Sequence, residues 1–253
     1  MLKVDLHLHT REDPLDRIVH DASALVDRAS SLGFDALALT LHDAQLDDPR
    51  LRDYARERDI VLLPGIERSI DGKHVLLINL GRGAEYARTF GDIARLKARG
   101  NGLVIAPHVF FPDRTCLRSA IDQHPDLFDA IEWSYFWTRG INFNARAARW
   151  AEQHGKPVVG NSDLHDLRQL GRTFSLIQAE RHPDAICEAV RDGRVTLFTE
   201  PVPPLELAQV LGGMFWRGCR ELTADFDPVA PLDGCSGRPE LCRRTGYRLS
   251  PGD

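Results

Sequence analysis

The sequence predicts an α/β barrel followed by an irregular C-terminal segment. Short apolar segments rich in β-branched residues alternate with longer segments of helical periodicity up to about residue 198, a pattern typical of repeated strand–helix units. The chain has 253 residues, 43% of them hydrophobic, and about 250 residues is the usual size of one such barrel. The chain is therefore long and apolar enough to bury a complete barrel core.

Eight strands and six helices are expected in this barrel. The predicted strands cover residues 2–7, 34–40, 60–66, 74–80, 103–107, 129–133, 157–160 and 195–198. The predicted helices cover residues 21–32, 49–58, 84–99, 117–123, 142–154 and 183–192. Several helical patterns end at a glycine, as at Gly33, Gly155 and Gly193, and glycine is a common signal of a helix C-terminus.

The third and fourth predicted strands have an unusually short connection. Only the residues between Arg68 and Lys73 separate them. A parallel crossover needs about a dozen residues or more, so we expect these two strands to be antiparallel. Glu67 and His74 should then lie at the same rim of the barrel.

The barrel is expected to occupy residues 1–199, with residues 200–253 forming an irregular extension of unknown role. Pro and Gly are frequent after Glu200, and one short helix is predicted there, around Leu205–Leu211.

The absence of a CxxC pair argues against a disulfide framework and against a thiolate zinc site. The five cysteines lie at positions 116, 187, 219, 235 and 242.

Charge and hydropathy argue against two classes of protein. The formal net charge of −5 argues against tight, non-specific binding to nucleic acid, which needs an excess of Lys and Arg. A local basic groove is still compatible with this charge. The longest apolar segments are far shorter than the roughly 18 residues that indicate a membrane span. The N-terminus shows no apolar segment of a secretory signal. We therefore expect a cytoplasmic protein without a membrane partner.

The segment DLHLHT at residues 5–10 is the most informative in the chain. Residues two apart in a strand point to the same face, so the imidazoles of His7 and His9 should project together. This pair forms half of a candidate metal site. On its own, an HxH motif is equally compatible with a structural or accidental role.

Further metal-binding residue types recur where other strands begin or end. They are His42, Glu67, His74, His108, Asp163 and His165. The C-terminal rim of a barrel gathers strand ends around one space, so these side chains should converge. Imidazole and carboxylate ligands without thiolates suit Zn, Mn or Fe, and they outnumber the four ligands of one tetrahedral ion. The sequence thus predicts a site for more than one divalent metal ion.

In this order, the motifs resemble those of the PHP family, named for polymerase and histidinol phosphatase. The similar segments are DLHLHT at 5–10, ALTLHD at 38–43, PGIE at 64–67, GKHVLLI at 72–78, IAPH at 105–108 and GNSDLH at 160–165. The resemblance implies a distorted (β/α)7 TIM-like barrel that hydrolyses phosphoesters with two or three metal ions. The ligands that it implies are His7, His9, His42, Glu67, His74, His108, Asp163 and His165.

Three positions depart from the usual family pattern. Leu41 stands where many members have an Asp, so this position provides no carboxylate. Pro107 and His108 stand in the reverse of the usual His-Pro order, which keeps the imidazole at the rim but leaves its angle open. The family Asp that follows the HxH motif has no clean match. Asp13 is the predicted ligand, and Glu12 and Asp16 compete with it.

A phosphate ester also needs cationic contacts. The guanidinium fork matches phosphate oxygens bidentately. Arg11, next to the HxH motif, and Arg172, in the loop after SDLH, are the predicted substrate-binding residues. The other candidates in the rim loops are Arg68, Lys73, Arg114 and Arg168.

Several other polar and aromatic residues have open roles. Glu132, at the end of the sixth strand, is equally compatible with a structural role and with one as a metal ligand or as the partner of a ligand. The aromatic residues that follow it are candidates for a pocket wall or for the core: Trp133, Tyr135, Phe136 and Trp137. The remaining histidines are interpreted as surface residues: His20, His124, His154 and His182.

These observations lead to the hypothesis of a metal-dependent phosphoesterase. A metal-bridging hydroxide would attack the phosphorus of a small phosphate ester, and no protein nucleophile would be required. The alternatives are a nuclease or nucleotide phosphatase on the same scaffold and a non-catalytic metal-binding module. The expected partner is a small phosphorylated substrate, with a nucleotide or a short oligonucleotide left open, and the oligomeric state is undetermined.

Overall fold

The alternating segments of the sequence fold into one curled sheet with helices packed against it. The computed structural model describes residues 1–213 of the chain. The strands are β1 (Leu2–Leu8), β2 (Ala36–Leu39), β3 (Val61–Ile70), β4 (Lys73–Ile78), β5 (Leu103–Ala106), β6 (Ala130–Ser134), β7 (Val158–Asn161), β8 (Thr173–Ile177) and β9 (Val195–Thr199). The α-helices are α1 (Ala22–Ser31), α2 (Pro49–Arg56), α3 (Phe90–Lys97), α4 (Asn144–Gln153) and α5 (Pro183–Arg191).

The strand order mixes parallel and antiparallel neighbours. It runs β7-β6-β5-β4-β3-β2-β1-β8-β9. The neighbours β1–β2–β3 and β5–β6–β7 are parallel, whereas β4 runs against both β3 and β5. The predicted antiparallel pairing of the third and fourth strands is therefore confirmed, with His74 opposite Ser69.

The sheet curls so that β7, at one end of the strand order, approaches β8, near the other end. The contact is made by Gly160 of β7 and Ser175 of β8. The Gly160 backbone nitrogen donates to the Ser175 hydroxyl at 2.9 Å, and this hydroxyl donates to the Gly160 carbonyl oxygen at 3.1 Å. A Cβ at position 160 would lie 2.6 Å from the carbonyl oxygen of Phe174, so this close approach requires glycine. The sheet is thereby nearly closed, which confirms the predicted α/β class and the distorted TIM-like barrel.

Apolar residues separate into an inner cluster and outer clusters. Val4, Ala36 and Leu76 belong to the inner cluster, to which nearly every strand contributes and against which α5 packs. The outer clusters join the other face of the sheet to the remaining helices, as where Leu37 packs with residues of α1 and α2. Burial of these two faces explains why the strands read as nearly continuous apolar segments.

Three expectations about the elements are wrong. The described residues form nine strands rather than eight, because no strand is predicted between residues 160 and 195, where β8 lies with its buried polar residues Thr173 and Ser175. β8 pairs antiparallel with β1, about 170 residues earlier, a relationship that local periodicity does not reveal. The pattern at residues 84–99 divides into a 3-10 turn, Arg82–Tyr86, and α3, while the one at 117–123 is a 3-10 turn, Arg118–Gln123.

The C-terminal part of the described chain continues beyond the last strand. Residues 204–213 are helical and overlap the short helix predicted around Leu205–Leu211. The proposed boundary at residue 199 stays a prediction, and the predicted extension beyond residue 213 lies outside the described residues. Within residues 1–213, no helix is long and apolar enough to cross a membrane.

Candidate metal centre

An irregularity in β1 re-aims His7, which lies in this strand, and His9, which directly follows it. The register between β1 and β2 shifts between Asp5 and Leu8. As a result, Leu6 packs in the inner cluster, whereas Leu8 packs with the outer residues near α1. A bulge re-aims the residues that follow it. The fully buried rings of His7 and His9 have centroids 5.1 Å apart, so they project together as predicted.

Glu67 of β3 lies at the centre of the histidines. Its Oε2 atom is 3.3 Å from Nε2 of His7, 3.3 Å from Nε2 of His9 and 3.1 Å from Nε2 of His42. Its Oε1 atom is 2.8 Å from Nδ1 of His74 and 3.1 Å from Nε2 of His108. One carboxylate thus contacts five imidazoles.

Asp163 and His165, which follow β7, extend the same cluster. Asp163 Oδ1 lies 3.4 Å from Nε2 of His7 and 3.6 Å from Nε2 of His9. His165 Nε2 is 2.8 Å from Asp16 Oδ2. Asp163 and His108 have φ angles of 48° and 30°, in the left-handed region that non-glycine residues rarely adopt. Such strain is concentrated at functional sites.

Two further carboxylates fix the orientation of the imidazoles. Nδ1 of His7 donates to Glu132 Oε1 at 2.8 Å. Nδ1 of His9 and Nδ1 of His42 donate to Asp13 Oδ2 at 2.9 and 3.0 Å. A carboxylate that accepts from one ring nitrogen leaves the other nitrogen available to a metal ion. The Nε2 atoms of these three histidines accordingly face Glu67.

The innermost nitrogens are buried without hydrogen-bond partners. Nε2 of His7 and Nε2 of His9 make no hydrogen bond, although polar atoms this deeply buried are normally paired. Within residues 1–213, five overlapping groups of three His, Asp or Glu residues place their ligand atoms within 4.8 Å of one another. The donor set and the unpaired nitrogens therefore fit divalent metal ions.

Comparison with known proteins places this barrel among known folds. A family model described as PHP-associated matches residues 142–195. A two-domain protein from Bacteroides vulgatus that contains a predicted PHP-like metal-dependent phosphoesterase is 22% identical over 85% of this chain and 69% of that chain, with a TM-score of 0.60. The chain has the PHP fold. The resemblance inferred from the sequence motifs is confirmed.

Two other structural neighbours are less similar in sequence. PsfC from Pseudomonas syringae is 18% identical over 87% of this chain and 98% of that chain, with a TM-score of 0.59. The lesion-specific endonuclease Q from Pyrococcus furiosus is 16% identical over 78% of this chain and 57% of that chain, with a TM-score of 0.55. The comparison with curated proteins found no match.

The PHP-type barrel brings together all nine residues predicted as metal ligands. Eight of them provide the convergent atoms described above. Asp13 contributes differently, because Oδ1 accepts from the backbone nitrogens of Leu15 and Asp16 while Oδ2 accepts from two imidazoles. The reversed Pro107-His108 order still leaves the His108 ring in contact with Glu67. Their binding of metal stays a prediction.

The two arginines predicted to bind substrate lie outside this cluster. Arg11 is exposed and donates to the Val19 carbonyl oxygen at 2.8 Å. Arg172 donates to Glu206 Oε2 at 2.9 Å. Neither residue is among those that line the cavity beside the metal-centre residues. Their role in substrate binding stays a prediction.

Two residues near the site were missed or misread in the sequence. His20 is buried, not on the surface, and its Nε2 donates to the His9 carbonyl oxygen at 3.0 Å. Cys116 is buried with Sγ 3.3 Å from Nδ1 of His108. The other site residues were predicted from their positions at the ends of strands. Neither His20 nor Cys116 follows a strand, so their positions carried no such signal.

Electrostatics favour positive charge at the centre of the cluster. Burial opposes protonation of His7, but the carboxylates of Asp163, Glu132 and Glu67 outweigh it and raise the pKa of His7 well above its usual value. Burial likewise opposes protonation of His42, but Asp13 and Glu67 raise the pKa of His42 to about 9. Burial would raise the pKa of Glu67, yet the surrounding imidazoles hold it well below its usual value. The carboxylates that raise the pKa values of His7 and His42 therefore provide negative charge for a bound cation.

Proposed function

We propose that this chain is a metal-dependent phosphoesterase that hydrolyses a small phosphate ester. The observation that carries the proposal is the convergence of His7, His9 and His42 on Glu67 Oε2, with Nε2 of the first two histidines buried and without a hydrogen-bond partner. The PHP fold and the phosphoesterase named in the Bacteroides neighbour support this assignment.

Two or three divalent ions, chosen among Zn, Mn and Fe, are the proposed cofactors. When bound, such ions lower the pKa of water and neutralise the charge that develops on a phosphoryl group. The proposed ligands are His7, His9, His42, Glu67, His74, His108, Asp163 and His165. Asp13, predicted as a ligand, is now proposed to act through His9 and His42, because its oxygens accept hydrogen bonds from them and from the backbone.

The remaining protein groups keep the ligand atoms in place. Glu132 and Asp13 hold the Nδ1 protons, so that the Nε2 lone pairs of three imidazoles face the same point. These carboxylates are buried, so water does not compete for their hydrogen bonds with the imidazoles. In the proposed mechanism the protein contributes position and charge, and the ester forms no covalent bond to a side chain.

The test combines elemental analysis with hydrolysis assays in added Zn²⁺, Mn²⁺ or Fe²⁺. We expect two or more ions per chain and chelator-sensitive hydrolysis of phosphate esters. A His9→Gln variant should lose turnover by orders of magnitude. A His182→Asn variant, altered at an exposed histidine that precedes α5, should keep it. Metal retained without hydrolysis of any ester would instead support the non-catalytic alternative.

A nuclease activity is the second candidate, and the likeness to endonuclease Q favours it. Nucleic-acid backbones are usually held by Lys and Arg. Among residues 1–213, however, the side chains that line the cavity include neither type. Cleavage of an oligonucleotide faster than a monoester, compared at equal metal loading, would favour the nuclease.

A further inference from the structure

A cavity of about 620 Å³ opens beside the metal-centre residues. Glu67, Asp163 and several of the histidines form one part of its lining. The other part is an apolar wall, formed by Phe111, Phe136, Ile141, Phe143, Leu207 and Leu211. Small-molecule sites are commonly cavities of about 300–1,000 Å³ with apolar walls and a few polar groups.

The apolar wall presents large side chains that remain partly exposed. Ile141 is 58% exposed, Phe143 is 37% exposed and Leu211 is 47% exposed. The rings of Phe111 and Phe143 have centroids 5.4 Å apart and form one apolar surface. Covering such surface with an apolar group is favourable, because it removes apolar area from water. A ligand with a flat apolar group would therefore gain from contact with this wall.

The charged side chains of the cavity are unsuited to a second anionic group. Among residues 1–213, the lining includes the carboxylates Asp16, Glu67, Asp113 and Asp163 but no Lys or Arg. Arg11 and Arg172, the two cations predicted for substrate contact, already have acceptors within the protein at Val19 and Glu206. One phosphoryl group matches the cation-binding cluster, whereas a second phosphate would meet carboxylates without a compensating cation.

We propose that the apolar wall binds the alcohol half of the ester, and that this half is flat, apolar and uncharged, like an aryl or arylmethyl group. The phosphoryl half would lie at the metal centre, so this inference rests on the proposed function. The substrate class is then an ester with a single phosphoryl group and an aromatic alcohol, in preference to a polyphosphorylated nucleotide.

Binding of the alcohol half is measured separately from catalysis. The probe is 2-naphthalenemethanol, titrated calorimetrically into metal-free and metal-loaded wild-type protein. We expect binding in both forms and about tenfold weaker binding to Phe143→Ala and Leu211→Ala. Leu205→Ala is the matched control, because Leu205 lies in the same helical segment as Leu211, is 72% exposed and does not line the cavity.

Hydrolysis gives a second readout on the metal-loaded protein. 2-Naphthylmethyl phosphate and ethyl phosphate both release an alkoxide oxygen, so their kcat/KM ratio reports the apolar contact more than leaving-group strength. We expect a ratio of about ten or more, lowered by Phe143→Ala and retained by Leu205→Ala. A nucleoside 3′,5′-bisphosphate should be a poorer substrate than the naphthyl ester.

The outcomes separate the two proposals. Absence of naphthyl alcohol binding, or faster hydrolysis of ethyl phosphate or the bisphosphate, overturns the assignment of the apolar wall. If Phe143→Ala weakens binding of the naphthyl alcohol but no ester is hydrolysed, the apolar subsite is retained and the phosphoesterase proposal is overturned. If Leu205→Ala weakens binding of the naphthyl alcohol as much as Leu211→Ala does, the subsite does not lie at the apolar wall.

Discussion

Glu132 and His7 are joined by a fully buried hydrogen bond of 2.8 Å between Oε1 and Nδ1, although 125 residues separate them in the sequence. The other carboxylate oxygen of Glu132 accepts from the backbone nitrogen of His108 at 2.8 Å. One side chain therefore contacts two candidate ligands from distant parts of the chain. A role of Glu132 as the partner of metal ligands stays a prediction.

Replacing Glu132 with Gln should weaken metal binding by about 10- to 100-fold. The amide removes the charge that stabilises the Nδ1 proton of His7, and its single oxygen cannot accept from both this nitrogen and the backbone nitrogen of His108. Competition titration with a metal chelator measures the affinity. Glu152→Gln, at an exposed position of α4, is the control. Equal affinity of wild type and Glu132→Gln would show that this hydrogen bond does not tune the site.

Replacing Glu67 with Gln should remove at least one ion per chain and reduce turnover by about 100-fold or more. Both oxygens of Glu67 contact imidazoles, and a neutral amide has only one acceptor oxygen. Elemental analysis after gel filtration measures the stoichiometry, with Glu57→Gln at an exposed position as the control. Unchanged stoichiometry in a folded variant would exclude Glu67 from the ligand set.

Metal affinity should rise with pH between about 6 and 9. The pKa of His42 is about 9 in the ion-free site, because nearby carboxylates outweigh its burial. A metal ion must therefore displace a proton, and proton competition becomes weaker as the pH rises. Calorimetry in two buffers with different ionisation enthalpies counts the protons released. Binding without proton release at pH 7 would contradict the raised pKa.

Asp5 should make the metal-free protein less stable as the pH rises from about 4 to 7. Burial raises the pKa of Asp5 to about 7, against hydrogen bonds from Ser162 and His7. Because the folded-state pKa lies above the unfolded value, the stabilising contribution is complete below pH 4 and is lost as the pH passes through 7. Each unit of difference corresponds to about 1.4 kcal/mol.

An Asp5→Asn variant isolates this contribution. Relative to wild type, its free energy of unfolding should increase with pH up to about 7 and then stay level. Urea unfolding of both metal-free proteins at several pH values measures the difference. A constant difference across this range would show that Asp5 titrates normally in the folded protein.

Replacing Gly160 with Ala should destabilise the barrel by about 2 kcal/mol. The added Cβ would lie 2.6 Å from the Phe174 carbonyl oxygen and 2.5 Å from a methyl carbon of Leu197, at the place where β7 meets β8. Gly140→Ala is the control, because Gly140 is exposed and a Cβ there meets no atom within 4 Å. Equal unfolding free energies for the two variants would contradict the close approach.

The sequence predicted most of the candidate site because strand ends can be located locally. His42 and His165 follow apolar segments whose ends share a rim, so no distance information was needed to group them. His20 and Cys116 reach the same site from connecting segments. Their roles depend on how a loop returns to the barrel, which local periodicity does not specify.

By itself, the sequence determined the barrel class, the antiparallel β3–β4 pair and the set of residues that meet at the rim, because these follow from period, spacing and connection length. Tertiary structure alone decided that β8 pairs with β1, that Arg172 contacts Glu206 and that Glu132 orients His7. Each of these is a contact between distant parts of the chain. Such contacts depend on the closure and packing of the whole sheet, which no single segment encodes.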